Sequence, residues 1–296
     1  MSGGSIWDRS GSMRSLTKSL SKAFISNWLR LSLSAVSVAV FLTIWWLLSA
    51  FLRADWPFLG VTSSPASTYE RLPYWWDVLR ALGRSFVTNP IPTGGRFMSE
   101  HILASLTRIS IGFALALISA VPLGLLMGRS RNAEAVGRPL VELFRPIPPL
   151  AWVPIFLVVF KFFWGPIAIV FLGVFFPILL NVRLGARSVD PVLIDAARTL
   201  GARRGTIFGK VVLPFTTPYL MTGITMGLGI GWMCIVAAEM LGGVGGGVGY
   251  YIFAANTAGL YDFMYAGMVM IGILSVLTTG IAGLIERWVY RWMGMK

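Results

Sequence analysis

The chain has 296 residues, 56% of them hydrophobic and only 12% charged, with 25 Lys and Arg against 12 Asp and Glu for a formal net charge of +13. That charged share is about half of what a soluble domain carries. A single cysteine (Cys234) and a single histidine (His101) exclude a disulfide framework and a Cys/His metal site. Apolar runs of about twenty residues recur, and as helix that length matches a hydrocarbon core of roughly 30 Å. The composition therefore indicates one all-α, polytopic membrane domain. The net charge alone would also suit nucleic acid, so the placement of the charges decides that question.

Residues 1–30 are Ser-rich and basic (Arg9, Arg14, Lys18, Lys22, Arg30) and read as a cytoplasmic tail. Leu31–Leu52 is too long for the apolar core of a signal peptide and reads as a retained first span, followed by a proline-rich outer connection that extends to residue 100. Within that connection, the aromatic stretch Tyr69–Phe86 predicts a short helix suited to the interface. A second span lies within His101–Gly128 and contains Pro122, which predicts a kink; residues 129–146 form a basic connection with a short helix. A third span, Ile147–Trp164, opens on the prolines 146, 148 and 149 and ends at a tight Gly165-Pro166 turn into a fourth, Ile167–Val182. A basic island over 183–214 leads to the fifth span, Phe215–Met240, then a glycine-rich loop, Leu241–Tyr261, and a sixth span, Asp262–Ile285. The core of the membrane domain is thus 101–290.

Six spans leave both termini on one side, and the segments on that side hold 18 of the 25 Lys and Arg. An excess of basic residues in short loops marks the cytoplasmic face. The charge is then an orientation signal in a cell-membrane protein with cytoplasmic termini, and nucleic acid falls away as a partner.

Several residues inside or beside the spans are candidates for a translocation path or gate. Gly223, Gly227 and Gly231 share one face of the fifth span, where close helix packing competes with path lining. Glu239 near the outer end of that span is costly in lipid unless paired or wet, so it is either a gate or structural hydrogen-bonding residue or an interfacial one. Arg108, Arg145 and Lys161 are cations near or within spans that could attract an anion, although Lys161 equally suits snorkelling to the interface.

The island carries the most specific pattern. Asp195-Ala196-Ala197, Gly201 after three residues, and Val211-Val212-Leu213-Pro214 after nine more resemble the E-A-A-x3-G-x9-I-x-L-P loop of ABC importer permeases, with Asp for Glu and Val for Ile. Read physically, a short helix ends at a glycine free to turn left-handed, a second short helix folds back, and Pro214 joins it to the fifth span. Arg198, Arg203, Arg204 and Lys210 surround this knob with charge. The stretches SEHILASLTRISIGF, PIPPLAWVP, FFPILLN, AAEMLGG and TSSPAS further resemble permeases of nitrate, sulfonate, taurine and bicarbonate ABC importers, over most of the chain beyond about residue 60. The resemblance implies the MetI-like fold, a homodimer of permeases, and two ATPase subunits that dock on the knob. It also implies an extracytoplasmic solute-binding protein that delivers the substrate. It implies no cofactor on this chain, with ATP and Mg held by the ATPase.

Absences agree with that division. Gly205–Lys210 has neither the spacing nor the Ser/Thr of a phosphate-binding loop, so ATP hydrolysis is expected elsewhere and no catalytic residue is assigned. The glycines 242, 243, 245, 246, 247 and 249 follow a span and read as an outer loop, mobile or closely packed, near the substrate entrance. The alternatives are an importer for another solute, such as an aromatic acid or vitamin precursor, and a stand-alone secondary transporter. The latter calls for inverted repeats and charged pairs deep in the spans, which the sequence does not display.

Overall fold

The computed structural model describes residues 32–51, 72–89, 91, 96–241 and 245–292. The basic tail, the TSSPAS segment and residues 92–95 and 242–244 lie outside the described residues. Those described hold helices and no strand. The chain divides into two compact units, 1–77 and 78–296.

In the first unit α1 (Ser32–Phe51) occupies the expected first span, with its large apolar side chains exposed as suits lipid. Its inner face tethers the chain that follows. Trp45 Nε1 donates to the Pro73 carbonyl at 2.9 Å, and the Ser49 hydroxyl donates to the Leu72 carbonyl at 2.8 Å. The first unit ends within the first turn of α2 (Trp75–Arg84), a helix inside the stretch expected to be helical, with Asp77 in its first turn and Arg84 in its last, as the helix dipole favours.

The second unit contains α3 (Met98–Arg129), α4 (Arg131–Phe144), a 3₁₀ turn (Pro149–Trp152), α5 (Val153–Arg187) and α6 (Pro191–Thr199). It continues with α7 (Arg204–Ile207), a π-helical turn (Phe208–Val212), α8 (Leu213–Met240), α9 (Val248–Thr257) and α10 (Tyr261–Trp292). Glu100 accepts the Phe97 amide at the start of α3, and the Ser130 hydroxyl accepts the Ala133 amide at the start of α4. Helix α3 runs through Pro122.

Among the described residues, five helical runs are long and apolar enough to cross a membrane: Ser32–Phe51, Met98–Arg129, Pro149–Arg187, Arg204–Met240 and Tyr261–Arg291. The expected third and fourth spans are thus one run, and it is folded. Lys161 has φ 60° and ψ −174°, and a Cβ placed on Gly165 would lie 3.0 Å from the Phe156 carbonyl and 3.2 Å from Leu157 Cα. The arms on either side of Lys161 therefore double back on each other. The reversal sits at Lys161 rather than at Gly165-Pro166, because Pro166 fits the first turn of the second arm and Gly165 serves the close approach of the arms.

The long arm of α5 then runs parallel to α3. A Cβ on Gly112, Gly124 or Gly128 would lie 2.8, 2.9 and 2.7 Å from the carbonyls of Ile167, Leu179 and Arg183, each 55 residues further along. Parallel neighbours require a return crossing between them, and the short arm from Pro149 to Phe160 supplies it. Twelve residues of 3₁₀ and α-helix rise only about 20 Å, so this crossing is shorter than the others.

Helix α8 packs antiparallel on α5, with Gly223 against Ile178 and Gly231 against Val174. α10 lies on α8, where Trp232 Nε1 donates to Thr278 Oγ1 at 2.8 Å. The unit has a basic end, holding α4, α6, α7 and the far end of α10, and an opposite end holding Met98, Lys161 and α9.

These glycines set a sharp expectation. Gly112→Val should lower stability in detergent by about 1–3 kcal/mol through overpacking. Gly229→Ala, where a Cβ meets open space, should change it by less than about 0.5 kcal/mol. Thermal unfolding of the purified variants measures both.

Candidate functional site

Two sites lie at the two ends of α8. At the basic end, Asp190 Oδ1 accepts the Val192 amide at 2.8 Å and Pro191 occupies the first turn, which starts α6. Gly201 ends it. With φ +76° it lets its own amide reach the Arg198 carbonyl (2.9 Å) and the Ala202 amide reach the Ala197 carbonyl (3.0 Å). This double bond pattern is the Schellman motif, and the positive φ is what demands glycine.

Arg203 is extended (φ −72°, ψ 157°), and α7 then runs through the π turn into α8 without interruption. The second short helix of the expected knob is therefore the leading end of the span itself. The joint lies in the π turn Phe208–Val212, ahead of Pro214. Proline at 214 cannot donate to the Lys210 carbonyl, and the wider turn, with the Leu213 amide bonded to the Phe208 carbonyl, takes up the misfit.

The surface made here is open and mixed. Asp195, Ala196, Arg198, Gly201, Arg203, Arg204, Lys210 and Leu213 are exposed, and Leu200 is 87% exposed. Ala197 and Pro214 are half-buried. Asp195 and Arg198 form an exposed pair at 3.1 Å. Ile194, Ile207 and Val212 anchor the element from beneath. Beside it, the Glu134 carboxylate takes a two-pronged bond from Arg183, which ties α4 to the end of α5.

The opposite end of α8 holds a buried polar cluster. Glu239 is fully buried and Arg108 is 7% exposed, with Arg108 Nη1 2.8 Å from Glu239 Oε1. The same Nη1 donates to the Gly246 carbonyl at 2.6 Å. The Ser105 hydroxyl lies 2.8 Å from Glu239 Oε2 and accepts the Val248 amide at 2.9 Å, and the Gly249 amide donates to Glu239 Oε2 at 3.0 Å. His101 Nδ1 accepts the Gly247 amide at 3.1 Å. The tail of the glycine loop is therefore closely packed, with its main-chain groups satisfied by side chains of α3 and α8. Gly247, at φ +117°, brings its backbone against the Glu239 carboxylate, and Arg96 reaches the Gly245 carbonyl. Tyr251 stacks edge-on against His101 (5.5 Å), and burial pushes its phenol up to about 12.

The structure joins two of the sequence candidates, Arg108 and Glu239. It does not bring Arg145 to them: that residue is exposed at the end of α4, at the basic end. Gly227 and Gly231 are packed on Val174, at 3.1 Å from a Cβ placed on either. Lys161 is exposed in the hairpin turn. His101 and Ser105 join the cluster unannounced, although His101, Ser105 and Arg108 stand at i, i+4 and i+7, one polar stripe on one face of an apolar helix. Among the described residues no group of three His, Cys, Asp or Glu could hold a metal ion.

Residues 120–294 match the family model of the binding-protein-dependent transport system inner membrane component. The chain belongs to that family. It is a transport permease, not a catalytic subunit. It is 32% identical over 264 residues to the taurine transport system permease protein TauC of Escherichia coli, covering 87% of this chain and 89% of TauC. It is 30% identical over 257 residues to the nitrate import permease protein NrtB of Synechocystis, covering 85% and 86%. The fold is shared with a chain of the methionine ABC transporter MetNI, solved in inward-facing conformations, at a TM-score of 0.56 and 21% identity over 65% of this chain and 95% of that one. The permease is accordingly a multi-pass inner-membrane protein with the MetI-like fold.

The buried pair gives a measurable signature. Arg108→Ala leaves the Glu239 carboxylate without its cation and should destabilise the permease by about 3–5 kcal/mol. The double variant Arg108→Met/Glu239→Leu should be clearly more stable than Arg108→Ala, and denaturant titration in micelles compares them.

Proposed function

We propose that this permease is the membrane-spanning subunit of an ATP-driven importer for a small anion such as taurine, another sulfonate, nitrate or bicarbonate. Two copies form the translocation path, two ATPase subunits hold ATP and Mg, and a solute-binding protein delivers the substrate from outside. The basic end faces the cytoplasm, in keeping with Arg129, Arg131, Arg138, Arg145, Arg183, Arg187 and the island's cations gathered there. The taurine and nitrate permeases among its relatives support the substrate class.

One observation carries the coupling role. Among the described residues nothing covers Val192, Leu193 and Leu200 on the α6–Gly201–α7 element, yet that element continues directly into α8. A soluble subunit that grips this element moves the span with it. Asp195, Ala196, Ala197 and Arg198 form the leading helix of the docking surface, and Arg203, Arg204 and Lys210 supply its basic rim.

The test is reconstitution in vesicles with the partner ATPase and binding protein, followed by uptake of labelled taurine, nitrate and bicarbonate. Gly201→Asp forces a side chain into a left-handed turn and should leave the protein in the membrane while lowering uptake at least about tenfold. Normal uptake and ATPase binding in that variant would remove the docking assignment.

A further inference from the structure

The residues around Glu239 do more than cap the start of α9. Four main-chain groups of the segment 246–249 bond to side chains from other elements: the Gly246 carbonyl to Arg108, the Gly247 amide to His101, the Val248 amide to Ser105 and the Gly249 amide to Glu239. Residues 248 and 249 open α9, and the amides of a first helical turn have no acceptor within the helix, so the segment is seated by those side chains and depends on the register of α3 and α8. The seat is tight. A Cβ on Gly249 would fall 2.5 Å from the Val236 carbonyl, and one on Gly247 would run into the Glu239 carboxylate.

The seat is also shared between two bodies. Ser105 and Arg108 belong to α3, whereas Glu239 belongs to the 37-residue helical run Arg204–Met240, which starts at the proposed docking element. Beyond the π joint, α8 is one continuous helix from Leu213 to Met240, so its displacement along or about its axis carries Glu239 with it. A half-broken form of the cluster is costly, because a partly separated Glu239 keeps its burial and loses its donors. Such a cluster switches between two arrangements rather than yielding gradually.

Resting on the coupling role just given, we propose that Ser105, Arg108 and Glu239 are positioning residues of a gate. They latch the segment 245–249, and α9 behind it, onto α3 at the end of the permease remote from the ATPase. Motion of α8 against α3 during the transport cycle opens the latch and frees that segment to move.

Two measurements test this. Amide hydrogen exchange on the purified permease reads the latch without any transport: Glu239→Gln should speed exchange at residues 247–251 at least about tenfold and leave the α3–α5 core unchanged. Should that variant fail to fold, Ser105→Ala takes its place with the same expected direction. The double variant Ser105→Cys/Val248→Cys, built where the side chain and amide stand 2.9 Å apart, then reads the need for motion in vesicles. Relative to the same variant kept reduced, oxidation should cut uptake at least about tenfold, and a reducing agent should return it to that variant's own level.

Unchanged exchange, cysteines that do not cross-link, or a cross-linked protein that transports as well as the reduced one would each overturn the latch. Wild-type vesicles that carry none of the three anions would instead count against the proposed substrate, and the exchange result would stand apart from that.

Discussion

Close approach of helix backbones is the constraint on which the permease depends. Lipid tails are as apolar as leucine, so the hydrophobic effect does little to press one span against another. Contact must come from packing, and packing improves as backbones near each other. Glycines at 112, 124 and 128 let α3 lie against α5, and those at 223, 227 and 231 let α8 lie against the same helix, with Gly231 also meeting Ile109 of α3. The result is a three-helix core around the long arm of α5, where Ile169, Val170, Val174, Ile178 and Val182 are fully buried. Large apolar residues such as Ile118, Val158 and Val276 point outward, the reverse of a soluble bundle.

That core fixes the distance between the two sites. The α6–Gly201–α7 element and the buried charges sit at opposite ends of α8, and the helix between them packs against α5 through small residues, with few polar bonds. Such an interface resists separation while allowing sliding, since it holds few directional bonds to break. Directional bonds are concentrated instead at the end, where Arg108, Ser105 and Glu239 meet the glycine segment. The chain thus places smooth packing along the length of α8 and specific bonding at its end.

Much of this was legible in the sequence, for identifiable reasons. Long apolar runs announced the spans, and the Asp195–Pro214 spacing announced a helix ended by glycine, because only a left-handed turn calls for glycine there. The hairpin was misplaced by a few residues. Gly165-Pro166 is the usual signature of a turn, yet the reversal fell on Lys161, a residue type that gives no such signal. The second helix of the knob was expected as a separate piece. Pro214 reads as a break in any α-helix, and a π turn that absorbs it leaves no mark in composition. The cluster was half visible. Arg108 and Glu239 stood out singly, but their pairing spans 131 residues and depends on a fold that local pattern cannot supply. Substrate identity was not legible from helices and charges.

The 55-residue offset between α3 and its parallel neighbour has a consequence for how the chain is made. At roughly 5–20 residues per second, α3 waits several seconds after its synthesis before the long arm of α5 exists to cover its glycine face. Arg108 waits longer, since Glu239 is 131 residues downstream. For that interval a guanidinium rests in a new helix without its counter-charge. Its position about three turns from Met98 lets it reach towards the headgroups until the partner arrives. The buried pair is therefore a late event in biogenesis, and the glycine segment that it holds is among the last parts of the permease to settle.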